Sequence, residues 1–259
     1  MPFHYSDQLR EEYYTDGLTI LRGVMPPTLL ADLRRETDKA RVIARKERGP
    51  QAQRLQPVYH YEELDHQVFR DFLTLPAMQE TVEKILGPGH KPSQIMGVLL
   101  EPANEAWCTS WHRDWGYNLP GIDLEDFFQA VHNPRLFNQI NGALYDDHSL
   151  WVVPRSHMRK DTEAERAAFS RIPPPAPELT GLSPEERELA CAEYVRRMPG
   201  AAPVVLFAGD VAFYRNSTWH LGTYVPYVKR ATLHDGYFCD EDYAWQAKAR
   251  KTAAEGAAR

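Results

Sequence analysis

The stretch Ser110-Trp111-His112-Arg113-Asp114-Trp115 sets an imidazole and a carboxylate on either side of one arginine. If residues 112 to 115 run as a strand, successive side chains alternate faces, so His112 and Asp114 share one face while Arg113 and Trp115 take the other. A mononuclear ferrous site wants two imidazoles and one carboxylate on one side of the ion, with the remaining positions open, and this pair supplies two of the three. Pairs of this spacing arise by chance, so the rest of the chain must supply the weight. His60 and Glu62 in VYHYEEL have the same spacing, and the polar cluster around them reads as a solvated loop.

The elements that must position such a pair are bounded first by the whole chain. Its 259 residues suffice for a sizeable core, and a single domain over 1–259 is expected. A net charge of −6 without a long basic run argues against nucleic acid as a partner. The densest basic group, Arg41, Arg45, Lys46 and Arg48, reads as an exposed helix end placed against the helix dipole. No apolar run approaches the roughly 18 residues that a membrane span needs, so no membrane partner is expected. MPFHYSDQLREEYY shows neither a basic start followed by an apolar stretch nor a small-residue cleavage site, and a soluble, cytoplasmic chain is expected. Cys108, Cys191 and Cys239 are odd in number and dispersed, which points away from structural disulfides and thiolate zinc sites.

Along the chain, residues 6 to 16 begin at Ser6 and stop at Gly17, which predicts a short helix with a glycine stop; LTILRGV then reads as a strand. Pro26 and Pro27 introduce a long amphipathic helix through TLLADLRRETDKARVIARKER, and a helix pair follows between Val68 and Leu86. Residues 1–93 are thus mainly helical scaffold. From Gln94 the texture changes to short apolar or alternating runs divided by turn residues: SQIMGVLLEP, LFNQINGALY, LWVVP, PVVLF, DVAFYR and RATLHDGYF. A mainly β fold with flanking helices is expected, its core a double-sheet jelly roll (a double-stranded β-helix, cupin-like) over 94–240. An excursion at 159–203 interrupts it, and SPEERELACAEYVRRMPG, with Ser183 as cap, Pro184 first and Glu186 three residues after the cap, predicts a helix ending near Arg197. A brace or lid is favoured for this excursion over an oligomer contact. Residues 241–259 are left as a C-terminal tail.

The segment YRNSTWHLGTYVPYVKRATLHDGYF adds His220 just past the strand DVAFYR, and Arg230 at the start of the last strand. With these residues the chain resembles the phytanoyl-CoA dioxygenase family of iron(II)- and 2-oxoglutarate-dependent oxygenases. The likeness covers most of the length: the opening helix leading to YTDGLTILRGVMPP, the His-x-Asp at 112–114, LWVVPRSHM, AGDVAFYRNSTWH and Arg230, in order and spacing. It implies Fe(II) held by His112, Asp114 and His220, with 2-oxoglutarate and O2 as cosubstrates. The far carboxylate of 2-oxoglutarate needs a cation, and Arg230 offers a planar fork that matches a carboxylate. The implied reaction is C–H oxidation of a small-molecule substrate with release of succinate and CO2. Related halogenases carry Ala or Gly where the acid would be, so Asp114 favours a hydroxylase, or a desaturating or ring-forming relative, over a halogenase.

Two positions depart from the family's pattern. Arg155 stands where relatives often write Gly before Ser-His, and reads as an exposed turn residue. Gly222 stands where a hydroxyl that helps hold the cosubstrate is common, with Thr223 beside it as a weaker candidate. In LFNQINGALY, alternation puts Gln139 and Asn141 on one face, either as cosubstrate-binding amides or as a solvated outer face. Trp115, Tyr117, Trp151 and Tyr224 are the aromatic candidates for substrate binding, and the loop from Gly116 to Asn133 is placed to close over them. Two rivals stay open: a cupin-like metalloenzyme that does not use 2-oxoglutarate, against which Arg230 argues, and a noncatalytic jelly-roll binding protein.

Overall fold

The computed structural model describes residues 3 to 257. Gly17, at φ 81°, ends the first helix by returning its N–H to the Tyr13 carbonyl, a left-handed turn that costs glycine little. In chain order the elements are α1 (Asp7–Asp16), β1 (Leu18–Leu21), α2 (Pro27–Arg48), β2 (Arg54–Leu55), α3 (His66–Leu73), α4 (Pro76–Leu86), β3 (Lys91–Pro92), β4 (Gly97–Leu100) and β5 (Trp107–Cys108). There follow α5 (Leu124–Ala130), β6 (Asn138–Ala143), β7 (Leu150–Val152), α6 (Glu163–Ala167), α7 (Pro184–Arg197), β8 (Ala202–Pro203), β9 (Val211–Arg215), β10 (His220–Tyr224), β11 (Ala231–Asp235), β12 (Tyr237–Phe238) and α8 (Asp240–Ala257).

A six-stranded antiparallel sheet runs β1-β9-β6-β11-β4-β2, and a four-stranded sheet runs β5-β10-β7-β8. Register fixes what each face carries. Tyr214 pairs with Leu18 and Gln139, Ala212 with Ile20 and Asn141, His234 with Asn141, Thr232 with Ala143 and Leu99, and Leu99 with Arg54. Directly paired residues share a face, so these side chains form one layer turned toward the smaller sheet. Between the sheets lies a core of Ala143, Leu150, Val152, Val204, Leu206, Ala212 and Tyr214. The other face of the large sheet, with Leu21, Leu55, Val98, Ile140, Phe213 and Leu233, is covered by Tyr13, Leu33, Phe69, Phe72, Val82 and Ile85 of α1 to α4. Each such side chain contributes roughly 1.5–3 kcal/mol of burial. The expected jelly-roll sandwich with a helical scaffold outside it is the fold observed.

The outer face of the small sheet carries Cys108 and Leu221, and with Trp111 and Trp219 it packs on Cys191, Tyr194 and Val195 of α7. The 159–203 excursion therefore braces the smaller sheet. Among the described residues no helix is long and apolar enough to cross a membrane.

Three expectations need correction. Residues after 240 form α8 instead of a tail, anchored by Trp245 against Phe137 at 4.7 Å. The run PVVLF gives only the end of the short β8 and, beyond a Val204 N–H bond to the Leu150 carbonyl at 2.8 Å, an isolated bridge from Leu206 to Asp147. Arg41 and Arg45 do not stand free at a helix end: Arg41 is 8% exposed and its Nε donates to Glu101 at 2.8 Å, and Arg45 reaches the same carboxylate at 2.9 Å.

The α7 start is a complete capping box, with Ser183 and Glu186 each accepting from the other's backbone N–H. Ser183→Ala is expected to cost about 1 kcal/mol in chemical denaturation, with Ser183→Asp close to wild type. Equal stability of all three proteins would show that the brace adds nothing to the folding unit.

Candidate active site

His112 and His220 exchange backbone hydrogen bonds, N–H to carbonyl in both directions, at 3.1 and 3.0 Å. This isolated bridge stands where a strand was expected at 112–115. Past it the chain turns: the Asp114 N–H goes to the Asn216 carbonyl at 2.9 Å, and Trp115 takes φ 67°. The alternation of side chains survives for one step, which is enough. Arg113 points away from His112 and Asp114 and is fully buried, donating to the Ser156 and Ser217 carbonyls at 2.5 and 2.7 Å and to Asp161 at 3.1 Å. Its guanidinium also lies over the Trp219 ring at 5.0 Å. One arginine thus ties together the loops that carry the metal-ligating candidates.

Each imidazole is oriented in the same manner. The Nδ1 of His112 meets the Ser110 carbonyl at 2.8 Å and that of His220 meets the Thr218 carbonyl at 2.8 Å. Donation from Nδ1–H leaves both Nε2 lone pairs facing inward, the arrangement a metal ligand needs. His112 Nε2 lies 3.7 Å from one Asp114 oxygen and His220 Nε2 lies 4.0 Å from the other, with the two ring centroids 4.3 Å apart. Asn118 Nδ2 donates to Asp114 at 2.6 Å and holds the carboxylate in place. Burial, reinforced by the nearby His112, pushes His220 down to about 4, so it is a neutral ligand at ordinary pH. The donor set, two imidazole nitrogens and one carboxylate on one side, fits a ferrous ion.

These groups open into a cavity of about 460 Å³ between the sheets, lined also by Gln139, Asn141, Tyr214, Tyr224, Arg230 and His234. Arg230 is 5% exposed and its Nε donates to Asp147 at 2.9 Å. Burial drives the Asp147 carboxyl upward, but Arg230 and the hydrogen bonds from Ser149 and Thr232 win and hold it at about 2. Arg230 Nη1 is buried with no partner among the described residues. A buried guanidinium N–H left open costs on the order of 1–3 kcal/mol, and a carboxylate in the cavity would repair it. The strand holding Arg230 is itself clamped from behind. The Arg230 N–H donates to Glu101 at 2.9 Å, and Arg41 Nη2 donates to the Arg230 carbonyl at 2.8 Å.

The remaining sequence candidates divide. Gln139, Asn141 and Tyr224 face the cavity, as their positions in the register require. Tyr224 lies against the Arg230 guanidinium at 4.6 Å, and a Cβ added at Gly222 would overlap its hydroxyl. The Tyr224 ring therefore belongs beside Arg230, not at a substrate mouth. Thr223 pairs with Cys108 and Trp151 pairs with Leu221, so both point to the outer face of the small sheet, away from the cavity. Tyr117 stacks on Trp219 at 5.1 Å and donates to Asp161, which makes it a packing residue. Trp115 lines a second, adjoining cavity. Arg155 is an exposed turn residue, as expected; its φ of 65° is the conformation glycine adopts freely, and it pairs with Asp16 at 2.9 Å. Missed from the sequence were Arg54, Trp107, Asn118 and His234 in the first cavity and Gln246 in the second. His234 was reachable by counting alternate residues on from Arg230. Gln246 lies in the part read as a tail.

Neither a protein-family model nor a curated protein matches the chain. Among solved structures, AviO1 from Streptomyces viridochromogenes Tue57 superposes with a TM-score of 0.61 at 16% identity, over 91% of this chain and 96% of that one. EctD from S. alaskensis with bound Fe gives 0.60 at 14% identity, over 92% and 78%. SnoN, a non-heme alpha-ketoglutarate-dependent epimerase from nogalamycin biosynthesis, gives 0.56 at 17% identity, over 90% and 80%. At these identities the likeness is one of fold.

His157, next to the Ser156 that receives the Trp219 N–H, is 3% exposed, and burial together with Arg215 pushes it down to about 4. The unfolded chain therefore takes up this proton first. The contribution to stability is complete above pH 6.5 and is lost as pH falls toward 4, by up to roughly 3 kcal/mol. Denaturation at pH 7 and pH 4.5 should show a smaller acid loss in His157→Gln than in wild type. Parallel losses would contradict a buried neutral imidazole at this position.

Proposed function

We propose that the chain is an iron(II)- and 2-oxoglutarate-dependent oxygenase that oxidises a C–H bond of a small organic molecule. One observation carries this reading: His112, Asp114 and His220 present three metal-ligating atoms in a cavity whose wall also holds a buried guanidinium with an open Nη1. Iron bound there, with 2-oxoglutarate and O2, supplies the oxidising power for C–H abstraction and releases succinate and CO2.

The protein's part is orientation, charge and exclusion of water. His112 and His220 give Nε2 lone pairs because the Ser110 and Thr218 carbonyls hold the opposite nitrogens. Asp114 gives the anionic ligand, steered by Asn118. Because Asp114 would fill, on a bound iron, the position that a halide needs, hydroxylation and related C–H outcomes are favoured over halogenation. Arg230 receives the far carboxylate of 2-oxoglutarate, with the Tyr224 hydroxyl alongside. Asp147 fixes the guanidinium through Nε, and Glu101 and Arg41 fix the backbone that bears it. Gln139 and Asn141 offer amides on the same wall, and Leu99, Leu150 and Trp107 dry its edges. The solved structures support the reading through a neighbour holding iron and another described as alpha-ketoglutarate-dependent.

Anaerobic addition of Fe(II) and then 2-oxoglutarate should develop the weak visible charge-transfer band of an iron-bound α-keto acid. His220→Ala is expected to abolish the band. Arg230→Ala should retain iron binding but weaken 2-oxoglutarate by at least about tenfold, the loss of a charge-assisted pair. Glu101→Ala is expected to weaken it by a smaller factor, again with iron retained. Wild-type protein that binds iron tightly and yet never shows the band would move the cupin-like reading ahead.

A further inference from the structure

A second cavity of about 310 Å³ adjoins the first and shares Asp114, Asn118, Gln139 and His234 with it. Arg230 lines the first and is absent from the second. Starting from Asp114, the two cavities therefore lead in different directions: one toward the guanidinium that awaits a carboxylate, the other toward α8.

The second wall is rich in side-chain amides, and it also holds Arg250 and the buried Asp235, whose Oδ2 has no partner among the described residues. Gln56, Asn118, Asn138, Gln139, Asn216 and Gln246 all reach it. Several are committed: Asn118 to Asp114 and the Trp115 N–H, Asn138 to the backbone of Tyr237, and Gln139 to Tyr214. What stays open is informative. Asn216 is 6% exposed, so more than nine-tenths buried; its Nδ2 donates to Gln139 Oε1 at 3.4 Å, and its Oδ1 has no partner among the described residues. An orphaned buried amide oxygen of this kind requires a donor from elsewhere. His234 Nδ1 meets Asn141 Oδ1 at 2.8 Å, which assigns the proton to Nδ1 and leaves Nε2 as a second acceptor on the shared wall. Gln246, whose side chain makes no hydrogen bond among the described residues, adds both a donor and an acceptor from α8. The ring of Trp115 and that of Phe238 provide flat apolar surface between these groups.

Fixed acceptors beside two-way amides match a ligand whose polar groups each donate and accept, and hydroxyls do both from a single atom. Asp114, the carboxylate nearest the shared edge, belongs to the metal-ligating set, and Arg250 sits at the exposed rim over the Trp115 ring at 4.9 Å. The wall offers no long apolar trough for an acyl chain. We infer that the second cavity is the organic substrate's site and that it takes a compact, neutral polyhydroxylated molecule, with a hydroxyl donating to Asn216 and a C–H presented toward the Asp114 side. This rests on the oxygenase reading and deepens it.

The test uses the full chain loaded anaerobically with Fe(II) and 2-oxoglutarate, with myo-inositol and methyl α-D-glucopyranoside as polyol probes and octanoate as the apolar one. A molecule seated beside Asp114 alters the surroundings of the iron and moves the charge-transfer band. Both polyols are expected to shift the band saturably while octanoate leaves it unmoved. Asn216→Leu and Gln246→Leu should each weaken the polyol response at least tenfold while keeping the band itself, which doubles as the folding control. A band that is present but insensitive to both polyols, or that responds equally in wild type and both variants, overturns this site alone. Preferential response to octanoate overturns the polyol assignment. A wild-type protein without the band overturns the oxygenase reading, and this inference with it.

Discussion

The two peptide hydrogen bonds exchanged between His112 and His220 are the constraint on which the site depends. They join residues far apart in sequence at the edge of the small sheet, and they do so through backbone, leaving both rings free to point inward. A bridge of this kind fixes the spacing of the two imidazoles to within the reach of one ion. Arg113 then does what a continuing strand would have done. It carries its charge into the interior, where carbonyls of two other loops and Asp161 take its two terminal nitrogens, and the flanking side chains are turned the opposite way. Burying an unpaired guanidinium would be prohibitive, so the contacts of Arg113 are as much a condition of the fold as of the site.

A second buried arginine shows the complementary arrangement. Arg230 has Asp147 on one side and an open nitrogen on the other. Full neutralisation by protein carboxylates would leave the guanidinium little attraction for any anion in the cavity, and no neutralisation would destabilise the strand. Half-satisfaction resolves the conflict, and the outlying pair Arg41–Glu101 bears the mechanical load by gripping the backbone rather than the side chain. The packing of α2 on the large sheet is thereby linked to the position of a half-paired guanidinium deep between the sheets.

The layering has a further effect. Since paired residues on adjacent strands share a face, one register across β9, β6, β11 and β4 delivers Tyr214, Gln139, Asn141, His234, Thr232 and Leu99 to the same interior wall. Polar residues there are tolerated because the space is a cavity, whereas the reverse face of the same strands is apolar and sealed by helices. The C-terminal helix closes the far end, so that the interior is shaped by elements from both ends of the chain.

Much of this was legible in the residues themselves. The helix stops at Gly17 and the capping box at Ser183 are local events, set by side chains within a turn of one another, and alternation assigned Gln139 and Asn141 to one face. The residue types of His112, Asp114, His220 and Arg230 and their order along the chain singled out four side chains that the fold brings to one cavity. What tertiary structure alone decided were the choices that depend on which surface a side chain meets. Trp151 and Thr223 fall on the outer face because β10 pairs with β7 and β5 in a given register, and Tyr117 is consumed by Trp219 and Asp161. Arg41 looks like a surface cation until Glu101 arrives from another element, and Gln246 and His234 become neighbours of one cavity only when α8 folds back. Local sequence sets periodicity and end points, since these are short-range energies; the partner of a buried charge and the direction of a pocket are long-range, and no single segment contains them.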